Sequence, residues 1–148
     1  MTHGPLAHRI LARAAGRSPV VGEQTEIALD RAVLSGARGP STLIQVREGG
    51  GPWSAEDTLL TMDFQAPEVE SSIPRSRALC RELSEAFGLR HVLDLNMGIG
   101  SQVVIESALV NPGQLVAGSG RCLGVMGSVG VLGLRLEEAE LAGAIIAG

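Results

Sequence analysis

His91-Val92-Leu93-Asp94-Leu95-Asn96-Met97-Gly98-Ile99-Gly100-Ser101-Gln102-Val103 reads as a short apolar strand that runs straight into a glycine-framed segment. Two other stretches share this arrangement. Upstream, Thr58-Leu59-Leu60-Thr61-Met62 is a compact apolar run ending in Met62-Asp63-Phe64-Gln65-Ala66-Pro67. Downstream, Gln114-Leu115-Val116-Ala117 leads into Gly118-Ser119-Gly120-Arg121-Cys122-Leu123-Gly124-Val125-Met126-Gly127. Helical patterns lie around these strands. One opens at Pro5, carries Leu6, Ile10, Leu11 and Ala14 on one face, and stops at Gly16 and Pro19. A second opens at Gly39-Pro40-Ser41-Thr42 and stops at Gly49-Gly50-Gly51. A third runs from Ile73-Pro74 through Phe87, with Ala78, Leu79, Leu83, Ala86 and Phe87 on one side and Gly88 as its stop. A last helix spans Leu136 to Ala147, and Glu26-Ile27-Ala28-Leu29 is the expected first strand.

Strands alternating with helices predict an α/β fold with a parallel sheet. In such sheets ligands bind beyond the carboxyl ends of the strands. All three glycine-framed segments directly follow expected strands, so the pattern places them together at that end.

Composition sets the outer bounds. The chain has 148 residues, 45% apolar and 19% charged, which fits one soluble globular domain over 1–148. A net charge of −4 offers no basic surface for nucleic acid. Trp53, Phe64 and Phe87 are the aromatic residues, too few for a base-stacking platform. Cys80 and Cys122 cannot make a four-ligand metal or cluster site unaided, so no metal and no cofactor are expected. No signal peptide and no spanning apolar run is evident, which predicts a cytoplasmic protein with no membrane partner.

The order, spacing and frame of the three segments resemble the large subunit of 3-isopropylmalate dehydratase and its aconitase relatives. There the segments typically read Leu-Asp-His-Phe-x-Pro, Gly-Arg-Gly-Ile-Cys-His-Gln-Val and Gly-Ala-Asp-Ser-His-Thr-x-Thr-x-Gly. Ile10-Leu11-Ala12-Arg13-Ala14-Ala15-Gly16 looks like the family's opening helix, and Glu106-Ser107-Ala108-Leu109-Val110-Asn111-Pro112-Gly113 like its loop before the third segment. The resemblance implies a small parallel-sheet, three-layer domain like the first domain of aconitase-type enzymes. It covers the N-terminal part of a family member, ahead of the family's iron–sulfur cysteines. The family's polar residues are replaced. Phe64, Ser101 and Cys122 stand at its His positions, Met97 at its Arg, Met126 at its usual Tyr, and Gly120 and Arg121 at its Asp-Ser.

These replacements make the expected site apolar. Trp53, Met62, Phe64, Met97, Ser101, Arg121, Cys122, Leu123 and Met126 are the candidate substrate-binding residues. Met adapts to irregular apolar ligands, and such a wall would desolvate a carboxylate badly. The alternative is a decayed site collapsed into core. Asp63 is a candidate general base, or the cap of a turn. Gln102 either orients a ligand carbonyl or satisfies buried backbone. Cys122 beside Arg121 is a candidate nucleophile, or a small apolar filler. Trp53 either walls a pocket or covers the core edge, and Glu68, Glu70, Arg75 and Arg77 read as solvated surface.

The expected function is a cofactor-free enzyme that shapes a large hydrophobic substrate in an apolar pocket, a cyclase of pericyclase or cycloaddition type in bacterial polyketide biosynthesis. The alternatives are a subunit of a split aconitase-like hydro-lyase, or a non-catalytic binding or scaffold descendant. A homodimer is expected, because Gly130, Val131, Leu132, Leu134, Leu141, Ile145 and Ile146 form apolar surface needing cover.

Overall fold

A computed structural model describes residues 4–35, 38–62 and 73–148, with 73, 121 and 122 described in backbone only. The apolar runs become five parallel strands: β1 (Arg31–Leu34), β2 (Thr58–Thr61), β3 (His91–Leu93), β4 (Leu115–Gly118) and β5 (Leu132–Arg135). They lie in the order β3-β2-β1-β4-β5. The chain therefore steps outward from β1 to β3, crosses back, and builds the other half from β4. The reversal places the topological switch point between β1 and β4.

Helices cover both faces, which is why these strands tolerate so little polarity. On one face α2 (Gly39–Glu48), α3 (Ile73–Phe87) and α5 (Glu138–Ala147) pack on the sheet. Leu34, Leu43, Val46, Leu60, Leu83 and Leu141 are buried there, each 1% exposed or less. On the other face α4 (Gly100–Glu106) and a 3₁₀ segment, Arg121–Val129, cover Val33, Leu59, Val116 and Leu93 with Val103, Val104, Leu123 and Met126. The remaining helix, α1 (Leu6–Ala14), buries Ile10.

The expected α/β parallel-sheet architecture is what the structure shows. Three local expectations change. The first strand is β1, not residues 26–29; the alternating run misled because a central strand covered on both faces is the continuous Ala32-Val33-Leu34. The buried stripe of α3 runs through Arg77, Cys80, Leu83, Ser84 and Phe87, whereas Ala78 and Ala86 are exposed. Arg77 is 1% exposed, so it is not solvated surface. Finally, much of the apolar surface thought to need a second copy is covered by the chain itself. Val131, Leu141 and Ile145 are buried, and Leu132, Leu134 and Ile146 are half-buried.

Candidate functional site

Each glycine-framed segment begins where a strand ends. The Met62 N–H donates to the Leu93 carbonyl at 2.8 Å, tying the end of β2 to the end of β3. After β3 the backbone turns through Asn96 (φ 66°) and Gly98 (φ 119°), a left-handed conformation that Asn and Gly accept. Gly100 then starts α4 directly against β2. A Cβ there would lie 2.6 Å from the Thr61 Cβ, so only glycine permits this approach. In the third segment a Cβ on Gly118 would meet the Val33 carbonyl oxygen at 2.7 Å.

The switch point itself is stitched. The Ser119 hydroxyl donates to the Ser35 carbonyl at 2.9 Å and accepts from the Ser35 N–H at 3.2 Å. The Ser119 N–H donates to the Val33 carbonyl at 3.3 Å. These bonds clamp the ends of β1 and β4, where a doubly wound sheet ordinarily opens a crevice.

Charge gathers at the end of β3. Arg81 holds Asp94 with two bonds, Nε to Oδ2 at 2.7 Å and Nη2 to Oδ1 at 2.9 Å. The Leu95 N–H donates to the same carboxylate at 2.7 Å. The Arg81 hydrogen bond, above all, holds the Asp94 carboxyl below its ordinary value, and the nearby Arg77 charge pulls in the same direction. Sequence reasoning missed Arg77, although its place on the Arg77-Cys80-Ser84-Phe87 stripe was the available signal.

The candidate site residues divide into groups. Met97 and its neighbour Ile99 stand at the rim, 52% and 55% exposed. Ser101 is half-buried, and Gln102 is exposed, so its side chain does not serve buried backbone. Met62, Leu123 and Met126 are buried, Met62 in the core on one face of the sheet and the other two on the opposite face. The sheet separates them, so these three do not line one common pocket. Trp53 lies at the amino end of β2, away from the segments, with its backbone N–H donating to the Ile145 carbonyl at 2.8 Å. Asp63 and Phe64 lie outside the described residues, as do Glu68 and Glu70. Arg121 and Cys122 are placed by backbone alone, at the start of the 3₁₀ segment.

Among the described residues, no group of three His, Cys, Asp or Glu side chains is placed to hold a metal. An iron–sulfur cluster needs several thiolates. Cys80 is buried in the helix-covered core, and burial pushes its thiol up to about 11. It is a core filler, so the described residues do not fit a cluster. No helix among the described residues is long and apolar enough to cross a membrane.

No family model matches the chain. The chain resembles 3-isopropylmalate dehydratase large subunits. It is 25% identical over 145 residues to large subunit 1 of that enzyme from Methanopyrus kandleri, covering 97% of this chain and 35% of that protein. It is 27% identical over 146 residues to the Herpetosiphon aurantiacus large subunit, covering 96% and 35%. It is also 27% identical over 144 residues to the homoaconitase large subunit of Thermus thermophilus, covering 97% and 34%. The aconitase-like resemblance thus extends along nearly the whole chain, while the chain spans about a third of the length of these relatives.

Proposed function

We propose that this chain is one lobe of a split aconitase-like hydro-lyase, supplying one wall of a small-molecule site that another polypeptide completes. One observation carries the reading. The segments that match the relatives' glycine-framed segments all start at carboxyl ends of the parallel sheet, yet the described residues there hold no metal-binding group. The backbone placed by Gly98, Gly100 and Gly118 lies in a stretch that matches about a third of the relatives' length, and this reading assigns the reactive cluster to a partner. On this reading the relatives' names point to branched hydroxy-acids of the 3-isopropylmalate kind as substrates.

The test is to purify the chain with whatever binds it in its own cells, then measure iron and dehydration of 3-isopropylmalate. An iron-bearing partner with turnover by the complex is expected, and the isolated chain should be inactive. A chain that purifies alone, with no iron and no hydroxy-acid turnover in cell extract fractions, overturns the proposal.

A second reading keeps one observation. Met97 and Ile99 present exposed apolar side chains at the rim, where an acid-binding site needs polar ones. This favours a cofactor-free enzyme acting on a large hydrophobic substrate, with the polyketide cyclase as its narrowest form. Titration of the isolated chain with hydrophobic polyenes separates the two readings: saturable turnover supports this one, and no binding removes it.

A further inference from the structure

Helix α1 carries two apolar stretches with different fates. Ile10 is buried. His8 and Leu11, three residues apart and so on one face of the helix, border open space instead. The chain from Pro19 to Ile27 runs past this face, and between the two lies a cleft of about 250 Å³. Leu11, Pro19, Val20, Val21 and Ile27 give it apolar walls. Two of them stand largely in solvent: Val20 is 70% exposed and Val21 97%.

The polar side chains of the lining, His8, Glu23 and Thr25, are engaged within the wall itself. His8 Nε2 meets the Pro19 carbonyl at 3.0 Å, and because a carbonyl only accepts, that nitrogen carries the proton. The other ring nitrogen lies on the side of Gly4, where a Cβ would stand 3.5 Å from it. Both Glu23 carboxylate oxygens accept from Arg17, and one also accepts from the Val20 N–H at 3.0 Å. Arg17 donates as well to the Thr25 hydroxyl oxygen at 3.1 Å, so Thr25 has its own proton left to donate. These bonds also fix the walls. They close residues 17–25 into a loop and pin that loop to α1.

We propose that this cleft binds a compact, uncharged, mainly apolar small molecule with one hydrogen-bond acceptor. Volume sets its size. A cavity of about 150 Å³ takes a benzene, so this one has room for a branched or bicyclic skeleton of about ten heavy atoms. The engaged side chains set its polarity. A charged ligand would give up its water and find its counter-charges already paired, and a peptide would set its backbone groups against aliphatic walls. An apolar body covers Val20 and Val21 and aims its acceptor at the Thr25 hydroxyl. The lining side chains offer no activated nucleophile, so the cleft is a binding site and not a second catalytic one. Its loop leads into the amino end of β1, whereas the glycine-framed segments leave the carboxyl ends, so it is independent of the proposed catalytic role.

The probe is camphor, a bicyclic cage with a single carbonyl. Its control is camphorsulfonate, the same cage with a fixed negative charge. Each is titrated into the whole chain with labelled methyl groups and followed by NMR. Camphor should shift the Leu11, Val20 and Ile27 methyls saturably with a Kd below about 1 mM, and the sulfonate should bind at least about tenfold more weakly. Val20→Asp, at an exposed position, should weaken camphor by about tenfold while the buried Leu60 and Leu141 methyls stay in place. Thr25→Val, which keeps the shape and removes the donor, should weaken it severalfold. No saturable shift at millimolar camphor overturns the proposal. So does equal binding of the sulfonate, or unchanged camphor binding by either variant. Shifts of these methyls that track protein concentration without camphor also overturn it, because the occupant would then be a second copy.

Discussion

The two faces of this sheet are closed by different mixtures of side-chain packing and backbone approach. On one, α2, α3 and α5 press large aliphatic side chains into the core, and Leu34, Leu43, Leu60 and Leu141 are fully buried. On the other, Val33, Leu59, Val104 and Met126 are buried in the same way, and glycines add close backbone approaches to them. Gly100 rests on Thr61, Gly118 lies under the Val33 carbonyl oxygen, and a Cβ on Gly133 would meet the Leu123 carbonyl oxygen at 2.8 Å. Both faces are held by buried volume, and the second adds backbone approaches at the carboxyl ends of the strands. Backbone proximity keeps turn geometry fixed beyond the strand ends, where a site needs it, and leaves side-chain identity free to change.

The comparison predicts different failures. Leu60→Ala on the helix-covered face should have the largest effect, about 3 to 4 kcal/mol in urea unfolding, because it removes buried methyl groups and leaves a cavity. Gly118→Ala should follow at about 2 to 3 kcal/mol, from a methyl forced against a carbonyl oxygen that cannot move cheaply. Adding Leu123→Ala relieves the 2.9 Å clash with Leu123 Cδ1 but not the one with Val33 and itself empties a buried site, so the double variant should lose less than the sum of the two single losses. If Gly118→Ala is neutral, the second face gains nothing from these approaches and the contrast fails.

Cys80 sharpens the contrast from the helix side. Folding favours its neutral thiol, so its share of stability is complete below the ordinary thiol value of 9.0 and drains away as pH rises toward about 11. About 2 kcal/mol should be lost over that window relative to a Cys80→Ala chain, read from paired urea titrations. A flat difference between the two chains would mean the thiol is more open than its packing indicates. Smallest of all should be Arg38→Ala. Arg38 bridges Glu137 and Glu138 from a half-exposed position, and such pairs contribute below about 1 kcal/mol.

The parallel sheet was legible because apolar runs followed by glycine clusters are a local signal, and β2, β3 and β4 fall where those runs stand. β1 was displaced by the neighbouring alternation at 26–29, which carries strand periodicity without a partner in this chain. β5 was missed because Leu132-Gly133-Leu134-Arg135 has a glycine at its centre, and that glycine is needed only because Leu123 lies across it. That each glycine-framed segment starts at a strand's carboxyl end was readable from the sequence, but the burial of its side chains was not. A methionine looks the same in sequence whether it is buried, as Met126 is, or at the rim, as Met97 is. Arg77 was hidden because an arginine on a buried stripe is recognised only when the stripe's phase is known.

Trp53 is the chain's single indole, and it sits where the last helix ends: a Cβ on Gly148 would lie 3.2 Å from the Trp53 Cδ1. Its emission therefore belongs to one event, the seating of α5's C-terminal end beside the loop that leads into β2. A red shift that precedes the loss of helical signal on heating would time the release of α5 ahead of the sheet, with no added label.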